Sequence, residues 1–235
     1  MDIERALKDA REIGHAATLM YAIGHAQLPY THCGNYAIAS TLSDELVALA
    51  NEKGASYWKA FGIMNQGLLF ALTDKATDAV DRIGSGLTAW RSTGSTLWMP
   101  LYLAHLALAH AQLGRRADAD AWQCIGEAMS TVETTKERWC EAEVYRTAGE
   151  IALKSPAPDA AKVEAYFERA LAVARQQRAK SWELRVAMSM ARLWRDQGKR
   201  QQARDLIAPV YGWFSEGFDT LDLKQAKALL EEQAS

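Results

Sequence analysis

The sequence predicts an all-α chain built as a stacked array of antiparallel helix hairpins. Trp58, Trp98, Trp139 and Trp182 recur at separations of 40, 41 and 43 residues, each near the start of an apolar, helix-like segment. A fixed period of this size marks a repeat of helical hairpins. Apolar residues recur at three- and four-residue spacing, as in Leu101, Ala104, Leu108 and Ala111, or Phe167, Leu171 and Ala174. That spacing is the mark of helix, and the alternation expected of strands is nearly absent.

Short breaks containing Gly, Asp, Lys or Ser divide these stripes into about 12 helices. The expected spans are 2–13, 16–33, 36–53, 56–72, 75–92, 97–113, 118–134, 139–153, 160–177, 181–197, 200–215 and 220–233. Aligned on the tryptophans, KGASYW, STGSTLW, TKERW and RAKSW open the first helix of four successive hairpins. The internal turns read LTDKATDAV, LGRRADADAW, LKSPAPDAAKVEAYF and QGKRQQARDL. A weaker earlier copy begins at IGHAAT, where Pro29 should kink or shorten the first helix because it lacks an amide donor. The hairpins are therefore placed at about 14–53, 54–93, 94–135, 136–178 and 179–216, with a capping helix over 219–234, in one domain spanning 1–235. Residues 2–13 read as a second-type helix with no first-type helix before it, as if cut from a longer array. An uncapped end exposes an apolar face, so self-association through the amino-terminal end is expected.

Composition narrows the job. With 49% hydrophobic residues and a formal net charge of −2, the 235-residue chain can bury a core. It has no global electrostatic pull toward nucleic acid or an anionic membrane. No apolar run reaches the roughly 20 residues that span a bilayer, and MDIERALKDAREIG is a charged amphipathic helix unlike a signal peptide. Cys33, Cys124 and Cys140 are odd in number and share no useful spacing, which points to a reducing, cytoplasmic setting.

Several residues resemble the tetratricopeptide repeat, which wants a small residue midway along the first helix and an alanine with large apolar residues on the second. Gly149 takes the small position, with Phe167, Ala170 and Leu171 following; Gly67 takes it earlier, before Ala79, Ile83 and Leu87. Ala191, Trp194, Gly198, Ala203 and Ile207 fit the last hairpin. GRRADADAW carries two extra turn residues, SPAPDAAK is another insertion, and the period exceeds the usual unit of about 34 residues. The resemblance implies a right-handed superhelical solenoid whose first helices line a concave groove. Longer stretches are similar to one protein group in particular: AHLALAHAQLG, ERWCEAEVYRTAGEIAL, YFERALAVARQQRAKSWELRVAMSMARLWRDQGKR and ARDLIAPVYGWFSEGFDTLDLKQAKALLEE. They resemble the carboxy-terminal repeat region of large bacterial signalling proteins. Those proteins join a class III adenylate or guanylate cyclase domain, or a DNA-binding domain, to a signal-transduction ATPase. This second resemblance implies a sensor or docking arm regulating catalytic modules that this chain does not contain.

Catalytic motifs do not emerge. The chain has no GxxxxGK[ST], HExxH or GxSxG run. Gly84, Ser85 and Gly86 lie inside a helical pattern with no strand ahead, so close helix packing explains them better than a phosphate loop. His105 and His110 are five apart and do not share a helix face. His25 and His32 are seven apart and align beside Cys33, but two turns separate them by about 10.5 Å, too far for one metal ion. No catalytic, metal-binding or cofactor-binding residue is therefore assigned. The tryptophans match the structural period and read as wedges between hairpins before they read as a ligand stack.

The groove carries the functional expectation. Position-by-position transfer from the repeat motif implies Phe61, Met64 and Leu68, then Leu101, Ala104 and Leu108, then Glu143, Arg146 and Glu150, and last Arg185, Met188, Arg192 and Arg195. Such a groove changes from apolar to charged along the array. Its arginine forks match a carboxylate in two parallel hydrogen bonds. The competing reading has Glu143 and Glu150 neutralising those arginines across adjacent helices, as exposed pairs worth about 0–1 kcal/mol each. The expectation is a non-catalytic scaffold binding a protein or peptide, acidic in character, as the regulatory arm of a bacterial signalling protein. Its rivals are a small-molecule or signal-peptide sensor, marked by a deep pocket near Trp98, Trp139 and His110, and a self-assembly module.

Overall fold

Helix ends in this chain are set by residues that accept the left-handed backbone. The computed structural model describes residues 3–114 and 118–232. Residue 2 of the first expected helix, residues 115–117 of the lengthened turn, and residues 233 and 234 of the expected cap lie outside the described residues. Among the described residues there are twelve helices and no strand: α1 (Ile3–Ile13), α2 (Ala16–His32), α3 (Tyr36–Glu52), α4 (Ser56–Leu72), α5 (Ala76–Ser92), α6 (Met99–Gln112), α7 (Asp118–Thr135), α8 (Glu141–Leu153), α9 (Ala160–Gln176), α10 (Lys180–Asp196), α11 (Arg200–Tyr211) and α12 (Leu221–Glu232).

Five connections share one stop signal. Gly34, Gly54, Asp74, Arg178 and Gly198 have positive φ, and the next amide reaches back five residues, as in Asn35 N–H to the Tyr30 carbonyl at 2.8 Å and Lys199 N–H to Trp194 at 2.8 Å. This left-handed turn satisfies carbonyls that a helix end leaves orphaned. Two differences from expectation have local causes. α11 stops at Tyr211, four residues short of 215, because Gly212 follows it and the chain turns again at Gly217, with φ of +75°. α2 continues past Pro29 to His32. In the last turn, proline removes only one amide bond.

Packing follows the hairpin order. The hairpin pairs α2/α3, α4/α5, α6/α7, α8/α9 and α10/α11 pack closely, and α3 packs as closely on α4 across the first hairpin boundary. Across hairpins, α2, α4, α6, α8, α10 and α12 touch in succession, whereas the odd-numbered helices make no comparable contact with one another. The even-numbered helices therefore form the tighter, inner layer of a curved array.

Small residues let the layers approach. A Cβ on Gly67 would lie 2.6 Å from Ile83 Cγ1, one on Gly86 2.6 Å from Met64 Cγ, and one on Gly149 2.4 Å from Phe167 Cε1. Of the Gly84-Ser85-Gly86 run, then, Gly86 is a packing glycine, while Gly84 has nothing within 4 Å of its Cβ position. Buried polar groups between hairpins are mostly paired. Tyr102 Oη donates to Asn65 Oδ1 at 2.8 Å, and Asn65 Nδ2 donates to the Phe61 carbonyl at 3.1 Å. Gln27 is fully buried with neither amide atom hydrogen-bonded, and His32 Nε2, Gln66 Oε1 and Gln112 Oε1 are likewise buried without a partner among the described residues. Among the described residues no helix is long and apolar enough to cross a membrane.

Candidate functional site

The four periodic tryptophans are all half-buried and stand in one row along the starts of the inner helices. Trp98 and Trp139 meet edge to face at 5.1 Å between ring centroids, and Trp139 and Trp182 lie 6.3 Å apart. α2 docks its aligned histidines onto this row. His25 lies 6.2 Å from Trp58 and 6.3 Å from Trp98, and His32 lies 5.2 Å from Trp182, all edge to face. Seven-residue spacing on one helix thus serves aromatic packing. Trp98 itself has φ of 69°, a left-handed conformation for a bulky residue, which costs of order 1–3 kcal/mol. Glu137 holds it there: the carboxylate accepts from Trp98 N–H at 2.8 Å and from Trp139 Nε1 at 2.8 Å.

The end of α2 reaches the far end of the array. Arg185 on α10 donates to the His32 carbonyl at 2.9 Å, to His32 Nδ1 at 3.1 Å, and from Nε to Asp222 on α12 at 2.6 Å. Leu221 N–H donates to the Cys33 carbonyl at 3.2 Å. The end of α2 and the turn after it therefore meet the start of α12.

Placement of the sequence candidates follows from this closure. Phe61, Met64, Leu68, Leu101 and Ala104 are buried at 1% exposure or less. Phe61 lies beneath α2, where Gly24 leaves room for its ring, and Met64 packs against Gly86 of α5. Leu108 is half-buried. The apolar half is thus a packed interface, with α2 of the preceding hairpin over Phe61 and α5 against Met64. The charged half is different. Glu143, Arg146, Arg185, Met188 and Arg192 line one cavity of about 290 Å³, together with Thr31, Tyr36, Leu72, Ser189, Leu221, Asp222 and Gln225. Arg195 stands at the edge, paired with Asp196 and Glu232, both at 3.0 Å.

Within that cavity the arginines are not equivalent. Arg146 forks onto Glu143 with two 2.7 Å bonds and also reaches Glu150 at 3.2 Å and Ser189 at 3.3 Å. Ser189 closes the group by donating to Glu150 at 2.6 Å. Glu143 and Glu150 thus neutralise Arg146 on their own helix, not the arginines of α10. Asp222 neutralises Arg185. Arg192 has no carboxylate within ion-pair distance among the described residues; it makes one 3.4 Å contact with Gln225 Oε1. Burial opposes its charge, Glu150 favours it, and Arg146 and Arg195 oppose it. A guanidinium does not lose its proton in a protein, so a half-buried cation remains without a counter-ion.

The neighbouring titratable groups are fixed in one state. Burial pushes Glu143 up, but the adjoining Arg146 guanidinium outweighs it and holds the carboxyl down at about 2. Burial, then the Arg185 charge, lowers His32 to about 3. Burial likewise lowers His105, whose Nδ1–H donates to the Leu101 carbonyl at 2.9 Å.

Two further cavities border the closure, each of about 370 Å³. One lies among His25, Leu28, Pro29, His32, Trp98 and Trp139. It touches Trp98 and Trp139, two of the three residues whose pocket would mark the small-molecule reading, with His25 and His32 in place of His110. The other lies between the end of α2, the start of α10 and the α11–α12 connection. Sequence reasoning missed Asp222 and Gln225, since α12 does not belong to the repeat, and it weighed His32 only as a metal ligand. No family model and no curated protein matches the chain.

Proposed function

We propose that the chain is a non-catalytic binding module whose inner face receives an acidic group of a protein or peptide partner, an acidic side chain or a terminal carboxylate. The observation that carries this reading is Arg192, a half-buried guanidinium with no carboxylate at ion-pair distance among the described residues, in a cavity whose other two arginines are already neutralised. A cavity of about 290 Å³ holds a side chain or a chain end and not a helix, so the rest of the partner lies outside it. Met188 and Leu221 supply apolar contact, and the guanidinium fork supplies orientation. The resemblance to tetratricopeptide arrays and to the repeat arms of bacterial signalling proteins supports a regulatory role of this kind, with catalysis belonging to other modules.

The test compares peptides ending in a free carboxylate with their amidated counterparts. Binding of the free acid should fall about tenfold or more in Arg192→Gln, the size of one charge-assisted bond, with thermal stability unchanged. Equal binding by wild type and variant would place the partner elsewhere.

A small-molecule sensor is the second reading. It is favoured by the cavity at Trp98 and Trp139, beside a tryptophan held in a strained backbone conformation. Strain of this sort concentrates at ligand sites.

A further inference from the structure

The cavity among His25, Leu28, Pro29, His32, Trp98 and Trp139 is almost wholly apolar, and it is open to solvent, since His25 is exposed and both tryptophans are half-buried. Three of its rings stand at steep angles. Trp98 meets Trp139 at 73°, and His25 meets Trp98 at 73°. Planes that meet so steeply form a corner, and the inner sides of a corner are ring faces, which carry the negative end of the aromatic quadrupole.

A carboxylate stands behind this corner. Glu137 accepts from Trp98 N–H and from Trp139 Nε1, both at 2.8 Å. No lysine or arginine lies within ion-pair distance of it among the described residues, and its neighbour Arg138 is turned onto Glu133 and Glu141. The same row already holds one cation on a ring: the Arg185 guanidinium lies 5.2 Å from the centroid of Trp182. Among the described residues no lysine or arginine stands over Trp98 or Trp139 in that way.

These features select a cation, and the walls select its type. An ammonium with N–H groups loses hydrogen bonds to water that an apolar wall does not replace. A quaternary ammonium has none to lose, and its methyl groups suit Leu28 and Pro29. Aromatic faces attract such a cation, tryptophan most strongly.

We propose that this cavity binds a quaternary trimethylammonium group against the faces of Trp98 and Trp139, with Glu137 as its counter-charge. The inference rests on the second reading above, that a ligand enters at Trp98 and Trp139, and gives that ligand its charge and shape.

The probes are choline and its uncharged carbon isostere, in which a tert-butyl group replaces the trimethylammonium group. Binding is followed by ligand-observed NMR on the full chain, and folding of each variant by circular dichroism. Choline should bind about tenfold more tightly than the isostere. Glu137→Gln keeps an acceptor for both N–H groups but removes the charge, so it should weaken choline about fivefold and leave the isostere unchanged. Trp139→Leu should weaken choline about tenfold, whereas Arg192→Gln, in the other cavity, should not. A trimethyllysine peptide tested beside choline tells a modified protein from a free small molecule by which of them binds more tightly. Equal binding of choline and the isostere, or a preference untouched by Glu137→Gln, would overturn the cation while keeping the cavity as a ligand site. Binding of neither probe would overturn it too; the second reading itself fails only if no metabolite of a wider panel raises the melting temperature of the wild type above that of Trp139→Leu. Glu137 is half-buried in a connection, so its variant decides the matter if Trp139→Leu fails to fold.

Discussion

Arg185 donates to the backbone carbonyl of His32 at 2.9 Å, across 153 residues of sequence. Together with the ring contacts of His25 with Trp98 and of His32 with Trp182, this bond carries α2 across the starts of the later inner helices. The same guanidinium holds Asp222 of the last helix, so one side chain ties α2, α10 and α12 together. Both partners of the ion pair are mostly buried, at 17% and 19% side-chain exposure.

Removing that side chain should therefore cost more than a surface ion pair. Arg185→Met keeps the apolar stem but strands Asp222 and the His32 carbonyl. The expected loss is about 2–4 kcal/mol in urea unfolding, a little under the roughly 3–5 kcal/mol for breaking a fully buried pair because both partners keep some exposure. A loss below about 1 kcal/mol, the size of an exposed pair, would mean the closure contributes little.

Acid should weaken the fold in two stages. His32, lowered from 6.5 to about 3, is neutral when folded and charged when unfolded between those values. Its contribution is full above pH 6.5 and is lost as pH falls below it, by about 2 kcal/mol at pH 5. His105 is lowered too and acts in the same direction. Glu143, held at about 2 against an ordinary 4.5, contributes stability that is present above pH 4.5 and lost as pH falls toward 2. Urea midpoints from pH 8 to 3 should begin to fall near 6.5, and His32→Phe should flatten the upper stage. An onset only below pH 4.5 would contradict the buried neutral histidines.

Two glycine substitutions should have opposite signs. Gly149→Ala puts a Cβ 2.4 Å from the buried Phe167 ring and should destabilise by about 1–3 kcal/mol. Gly84→Ala meets nothing within 4 Å in the interior of α5 and should stabilise by about 0.5–1 kcal/mol. Thermal melts of the pair check this directly, and a stabilising Gly149→Ala would refute the close approach of α8 and α9.

Gln27 offers a test of its own. Its amide is fully buried with both polar atoms unpaired. Gln27→Met keeps the length of the side chain and removes the unmet groups. Stability should rise by about 1–2 kcal/mol, and a fall would show that the amide has a partner in solution.

Much of this fold was legible in the sequence because it is local. The tryptophan period and the three- and four-residue stripes locate eleven of the twelve helices to within two residues at each end. Left-handed residues such as Gly34, Gly54 and Gly198 mark where helices stop. The site was only half legible. Glu143, Arg146, Arg185, Met188 and Arg192 do meet in one cavity, since each occupies the same face of a repeated unit. Phe61, Met64 and Leu68 occupy that face as well, yet they are buried. α2 covers Phe61 and α5 covers Met64, and how closely helices of neighbouring hairpins meet depends on small rotations that no local pattern encodes. The partners of Arg185 escaped notice for the same reason. His32 and Asp222 become its neighbours only once the curve has closed.

Closure itself can be measured at one amide. Leu221 is the first residue of α12, where an N–H has no partner within its own helix, and here it donates to the Cys33 carbonyl at 3.2 Å. Hydrogen exchange followed by NMR should find the Leu221 amide protected in the wild type and released in Arg185→Met, while amides inside α4 and α6 stay protected in both. Exchange of Leu221 at the rate of an unprotected helix start in the wild type would mean that the two ends of the array do not meet.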